Sequence, residues 1–145
     1  MHIEITQELS TSLYWISLVA VVVSSASGVL KAGFRKFDLF GVVIIAITTG
    51  LGGGSLRDML LGIDVFWIQD QIFFIVSFFS AVMIFIGARL MPISPKLFLI
   101  PDAAGLAAFS IAGTMVALVA EAPWLIASFM GMITGAMGGI FRDLL

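Results

Sequence analysis

From Leu13 onward the sequence is a succession of apolar stretches, most of them long enough to cross a bilayer, and that leaves its backbone little choice. A crossing takes about 20 residues of helix, and hydrocarbon offers nothing to an N–H or C=O that the segment does not satisfy itself. The chain therefore reads as an all-α polytopic membrane protein of about five helices: residues 13–30, 39–65 and 72–91, a fourth opening at Pro101-Asp102 and closing by Glu121, and a fifth from Trp124 to Arg142-Asp143. Composition agrees, with 61% hydrophobic and 11% charged residues, against roughly 45–50% and 25% in soluble domains. A net charge of −2, scattered along the chain, offers nothing to nucleic acid. Without cysteine, and with a single histidine, His2, the sequence holds no thiol nucleophile or metal cluster, so neither an enzyme nor a cofactor is expected. Glu4 and Glu8 stand where a cleaved leader would be basic, which argues against a signal peptide.

One stretch breaks the apolar pattern: Thr48-Thr49-Gly50-Leu51-Gly52-Gly53-Gly54-Ser55-Leu56-Arg57-Asp58. Glycines relax helical geometry, and an arginine and an aspartate each cost at least ~2.5 kcal/mol at the centre of a membrane helix. Two readings stand. In one, the glycines open the helix onto a wet pathway that the charges serve; in the other, the glycines only admit a neighbouring helix and the charges mark the interface with water. The second segment, 39–65, is about 40 Å long as a straight helix, too long for a ~30 Å core, so a kink or break is expected at Gly52–Gly54.

The stretch recurs as Gly135-Ala136-Met137-Gly138-Gly139-Ile140-Phe141-Arg142-Asp143, offset by 85 residues from Arg57 to Arg142. At that fixed offset Ser25, Gly28, Ala32, Thr49, Gly50, Gly53, Gly54, Arg57 and Asp58 meet identical residues at Ser110, Gly113, Ala117, Thr134, Gly135, Gly138, Gly139, Arg142 and Asp143. The identities gather on glycines and charges, the mark of an internal duplication, with residues 1–92 as a first three-helix repeat and 93–145 as a second holding two helices. Lys31, Arg35, Lys36, Arg89, Lys96 and Arg142 fall on one side of the membrane and Arg57 on the other, which places the N-terminus outside. Three crossings separate the two motifs, so they emerge on opposite faces, as in inverted-repeat transporters whose site lies between broken helices.

Smaller signals follow. Ala20, Ser24, Gly28 and Ala32 form a small-residue stripe for close helix packing. Asp102 either serves the positive end of the fourth helix or offers a carboxylate to a cation at the mouth of a pathway. The third helix is apolar throughout, facing lipid or another subunit, and carries no chemical signal.

The phrases Ala26-Ser27-Gly28-Val29-Leu30-Lys31-Ala32, Phe37-Asp38-Leu39-Phe40-Gly41-Val42, Gly52-Gly53-Gly54-Ser55-Leu56-Arg57-Asp58-Met59-Leu60-Leu61-Gly62, Asp102-Ala103-Ala104-Gly105-Leu106 and Gly138-Gly139-Ile140-Phe141-Arg142-Asp143 together resemble the prokaryotic trimeric intracellular cation (TRIC) channel family, whose bacterial members are also labelled glycine transporters. The resemblance covers nearly the whole chain. It implies a homotrimer in the prokaryotic inner membrane, each subunit having its own pore for K⁺ or another monovalent cation such as Na⁺, built from two inverted three-helix repeats with kinked second and fifth helices. It carries the kinks to Gly52, Gly53, Gly54, Gly138 and Gly139, and pore or gating charge to Arg57 and Arg142. Against the family's seven helices the second repeat here lacks its third and the seventh is missing, which reads as a truncated form of that fold. Ile63-Asp64-Val65 stands where the family pattern has a proline.

The expected mechanism is a cation path narrowest at the glycines, where unwound carbonyls replace part of an ion's hydration shell, with hydroxyls from Thr48, Thr49, Ser55 and Thr134 nearby. Because adjacent helical positions do not face each other, Arg57 and Asp58 are expected to find partners elsewhere, and Arg57 and Arg142 each to hold a helix end or act as a gate, with Asp143 beside Arg142 as Asp58 is beside Arg57. The alternative is a secondary transporter of a small solute such as glycine, whose carboxylate a half-helix terminus can hold.

Overall fold

The computed structural model describes residues 2–33, 38–90 and 97–145, with side chains from Ser10 onward in the first segment. Six helices follow in order: α1 His2–Gly33, α2 Leu39–Leu61, α3 Phe66–Gln69, α4 Gln71–Leu90, α5 Leu99–Val119 and α6 Trp124–Leu144. Among the described residues, five are long and apolar enough to cross a membrane, α3 being a single turn. The basic and proline-bearing loops expected at Arg35, Lys36, Pro92, Pro95 and Lys96 lie outside the described residues.

Local chemistry sets the ends of α2. Asp38 caps its start, accepting from the Gly41 N–H at 3.0 Å. At the other end Gly62 adopts the left-handed conformation, φ 68°, and its N–H closes onto the Asp58 and Met59 carbonyls, a geometry glycine takes at no steric cost. The helix therefore stops at Leu61, and its 23 residues span about 35 Å. This corrects two expectations. The excess length of segment 39–65 is removed by the Gly62 stop and the short α3, and the helix runs through Gly50–Gly54 without an unwound turn. Helical hydrogen bonding likewise continues through Gly135, Gly138 and Gly139 in α6. Carbonyls freed at the glycines are thus not a feature of this fold.

What the glycines do is let helices touch. A Cβ on Gly53 would collide with the Thr134 carbonyl oxygen, and one on Gly138 would lie 2.5 Å from that of Thr49. Gly50 is packed against Ser25 and the Val21 carbonyl of α1, and Gly135 against Ser110 and the Leu106 carbonyl of α5. Gly28 meets Thr49 and Ala46, while Gly113 meets Thr134 and Gly131. Every one of these contacts has its counterpart at the 85-residue offset, so the packing is a two-fold exchange of α1–α2 with α5–α6 about the α2–α6 crossing. This is the inverted arrangement, and it brings the bundle to backbone contact at its middle.

The stripe Ala20, Ser24, Gly28 and Ala32 is buried. Helix α4 buries Phe73, Ser77 and Ala81 on one line, leaving Phe79, Met83, Ile86 and other large apolar residues on the outer surface. An apolar exterior over a polar-spotted interior is the inverse of a water-soluble bundle and suits hydrocarbon as the solvent.

Candidate functional site

Two charged clusters lie at opposite ends of the bundle, each built on the C-terminal part of a glycine-bearing helix. At the first, Arg57 and Asp58 are 4% and 1% exposed. Arg57 Nε donates to Asp58 Oδ1 at 2.7 Å and Nη2 lies 2.6 Å from the same oxygen. Asp58 Oδ2 accepts the Phe66 N–H at 2.9 Å, which anchors the first residue of α3. The guanidinium carbon stands 5.8 Å from the Phe66 ring centre, within range of a cation–π contact. Gly54 makes room for that ring, since a Cβ there would lie 2.5 Å from it.

At the second, Arg142 Nε donates to Asp143 Oδ1 at 3.0 Å, and Nη1 reaches Asp102 and the Ser27 hydroxyl. Ser27 also donates to Asp102 Oδ1 at 3.1 Å. Lys31 pairs with Asp143, and both cations lie 5.5 Å from the Phe98 ring centre. The Asp143 side chain is 52% exposed, so this end is wetter than the first.

The expectation that Arg57 and Asp58 seek separate partners is overturned, and Arg142 and Asp143 meet in the same way while also holding Asp102, Ser27 and Lys31. Cβ atoms one residue apart diverge, but a guanidinium on three methylenes folds back along the helix, and its Nε edge meets the carboxylate beside it. Asp102 gives the first turn of α5 no side-chain cap; that helix opens at Phe98 uncapped, and the carboxylate instead crosses to Arg142.

The remaining candidates sit between the clusters. Thr49 and Thr134 are buried at the α2–α6 crossing, and each donates at 2.6 Å to the carbonyl four residues back, Ile45 and Met130 respectively. Thr48 donates to the Ile44 carbonyl, and Ser55 to that of Leu51 while accepting from Trp67 Nε1, all at 2.8 Å. Gly52 lies against the Phe141 ring and Gly139 faces the Arg142 guanidinium.

Reading the chain in sequence missed Ser27 and Lys31 as partners of Arg142 and Asp143, and Ser77, whose hydroxyl is 2.8 Å from that of Ser25. Ser77 had a signal: with Phe73 and Ala81 it lies at four-residue spacing on one face of α4.

The structure is thus an all-helical membrane bundle in which two inverted glycine–arginine–aspartate helices cross at the centre. The chain matches the family model described as "Glycine transporter" over residues 14–89 and 99–145, and it belongs to that family. It is 42% identical over 135 residues to the UPF0126 inner membrane protein YadS of Escherichia coli (strain K12), covering 92% of this chain and 65% of that protein. A UPF0126 membrane protein of Vibrio cholerae is 43% identical over 141 residues, covering 94% of this chain and 59% of that one. The chain thus spans about two thirds or less of the length of these relatives. Its fold matches the crystal structure of the TRIC trimeric intracellular cation channel orthologue from Rhodobacter sphaeroides with a TM-score of 0.87 at 34% identity, over 92% of this chain and 70% of that one. A prokaryotic TRIC channel crystallised in 0.5 M KCl matches at 0.86 and 25% identity, over 93% and 70%. The protein is a multi-pass membrane protein with the TRIC channel fold, and its curated relatives are named as membrane proteins, one of them of the inner membrane.

Proposed function

We propose that this chain forms the greater part of a K⁺-conducting path, one within each subunit of a homotrimer, with the N-terminus outside and with residues 1–92 and 93–145 as its two repeats. The observation that carries this reading is the α2–α6 crossing. Two antiparallel helices touch through Gly53 and Gly138 at mid-bundle, and toward its own end each carries an arginine–aspartate pair, Arg57–Asp58 buried and Arg142–Asp143 half-exposed. A path between them is narrowest at that contact. Its oxygens are side-chain hydroxyls and helical carbonyls, since no unwound turn supplies others. Arg57 and Arg142 stand at the two mouths, each held by its neighbouring aspartate, and a charge so placed sets the barrier an entering cation meets. Asp102, bound to Arg142, neutralises the positive charge at its own end.

The test is voltage-driven K⁺ flux into liposomes carrying the full-length protein, with glycine as competitor. Ohmic flux indifferent to glycine supports the channel. Saturable glycine uptake without such flux overturns it in favour of the second reading, a secondary transporter of a small solute such as glycine. That reading is favoured by the family's description and by an unfilled space beside Arg57.

A further inference from the structure

Helix α3 is a single turn, Phe66–Gln69, none of whose residues is fully buried. Among the described residues it packs only against α2 and α4. Non-helical residues flank it on both sides. Before it runs the loop 62–65, which starts at Gly62 with a φ of 68° and is exposed up to Asp64; after it comes Asp70, in extended conformation. The start of α4 is fixed without α3, because the Asp70 carboxylate itself accepts the Ile72 N–H at 2.9 Å. A short turn held by few contacts between two such flanks belongs to the low-stability end of a structure, from which moving lids are drawn.

Two hydrogen bonds hold this turn down on α2. The Phe66 N–H donates to Asp58 Oδ2 at 2.9 Å, and Trp67 Nε1 donates to Ser55 Oγ at 2.8 Å. The Phe66 ring fills the notch at Gly54 and leans on Phe73 of α4, with ring centres 5.0 Å apart. The same ring walls a cavity of about 70 Å³ bordered by Arg57, Ser17 and Val116, room for roughly five waters at ~10–15 Å³ each. Water therefore reaches the buried Arg57–Asp58 pair only when this turn is lifted. Lifting it leaves few groups unsatisfied. Asp58 Oδ1 keeps Arg57 and Ser55 keeps its bond to the Leu51 carbonyl, while Asp58 Oδ2 gains water and the Trp67 indole moves to the interface level that tryptophan favours. The Ser55 tie has no equivalent in the second motif, whose residue at the 85-residue offset is Ile140.

We propose that α3 is a lid on the Arg57 end of the bundle: swinging between Gly62 and Asp70, it withdraws Phe66 from the Gly54 notch and admits water and ions to Arg57 and Asp58. The structure holds its closed arrangement, and the ties to Ser55 and Asp58 set how often it opens. As the gate of a cation path the lid rests on the conduction reading; as a moving part it stands on its own contacts.

The test is thiol access behind the lid. The full-length protein in nanodiscs, carrying Ser17→Cys as its one cysteine, is treated with a cationic methanethiosulfonate and the modified fraction is followed by mass. When opening and closing are fast, the rate tracks the open population. Modification is expected, at least about tenfold slower than for Asp64→Cys on the exposed loop, which sets the rate without a lid. Ser55→Ala and Trp67→Phe, which each remove one tie, are expected to speed it at least about threefold and to leave Asp64→Cys unchanged. Should Ser17→Cys fail to fold, Val116→Cys borders the same cavity and carries the same expectations. A cavity thiol that stays inert in the parent and both variants overturns the proposal, as does one that reacts as fast as Asp64→Cys or at a rate neither variant changes. K⁺ flux through liposomes carrying the same variants separates the two readings. Flux that rises with thiol access supports the lid as its gate, and flux that neither variant changes overturns that role. Thiol access that responds with no flux at all leaves the lid standing and sinks the conduction reading.

Discussion

The two ends of the bundle carry one motif in two settings, and the difference shows what a repeated sequence does and does not repeat. At the middle, where Gly53 meets the Thr134 carbonyl and Gly138 that of Thr49, the halves are interchangeable. At the ends they are not. Arg57 is sealed with Asp58 among phenylalanines, whereas Arg142 shares a half-exposed cluster with Asp102, Asp143, Ser27 and Lys31. Symmetry is kept where backbones touch, because a glycine contact tolerates no side chain, and is relaxed where side chains of α1 and α5 supply the neighbours. The ends of one path are thereby free to differ in charge and wetness.

The largest test of this asymmetry removes each arginine. Arg57→Met leaves Asp58 buried with only the Phe66 N–H, and breaking a buried pair in this way costs about 3–5 kcal/mol. Arg142→Met is expected to cost less, about 1–3 kcal/mol, because Lys31 still holds Asp143 and both carboxylates reach water. Denaturation of the two variants in the same detergent checks the order; equal losses would break the comparison of the ends. Next comes the middle. Gly53→Ala and Gly138→Ala each press a methyl onto a carbonyl oxygen that cannot swing away, and overpacking of this kind costs about 1–3 kcal/mol. Near-equal Tm losses are expected, and a clear inequality would show that the two-fold exchange fails at its own axis. The smallest effect is Ser77→Ala, which removes the bond to Ser25. Interhelical hydrogen bonds in membrane proteins average ~0.6 kcal/mol, so a shift near the limit of a thermal melt is expected.

Much of the fold was legible because a bilayer permits so little. Long apolar stretches had to be helices, the fixed offset from Arg57 to Arg142 announced two related halves, and three intervening crossings made them inverted. The glycines were recognised as the centre of the molecule, but their use was not: flexibility suggested unwinding, whereas helix-to-helix contact stabilises the regular helix that contains them. The end of α2 was misplaced because Gly62 reads as one more glycine in a glycine-rich segment until its φ of 68° is seen. Sequence by itself determined the class, the helix count, the duplication and the residues whose burial costs most, since each follows from the price of polar groups in hydrocarbon. Only the tertiary structure decided which groups meet. Ser27 reaches Arg142 across 115 positions and Asp102 across 40, and Ser17 and Val116 border Arg57 because α1 and α5 pack against α2. Such pairings depend on the rotation and depth of each helix against its neighbours, quantities that side-chain packing sets and that no local pattern encodes.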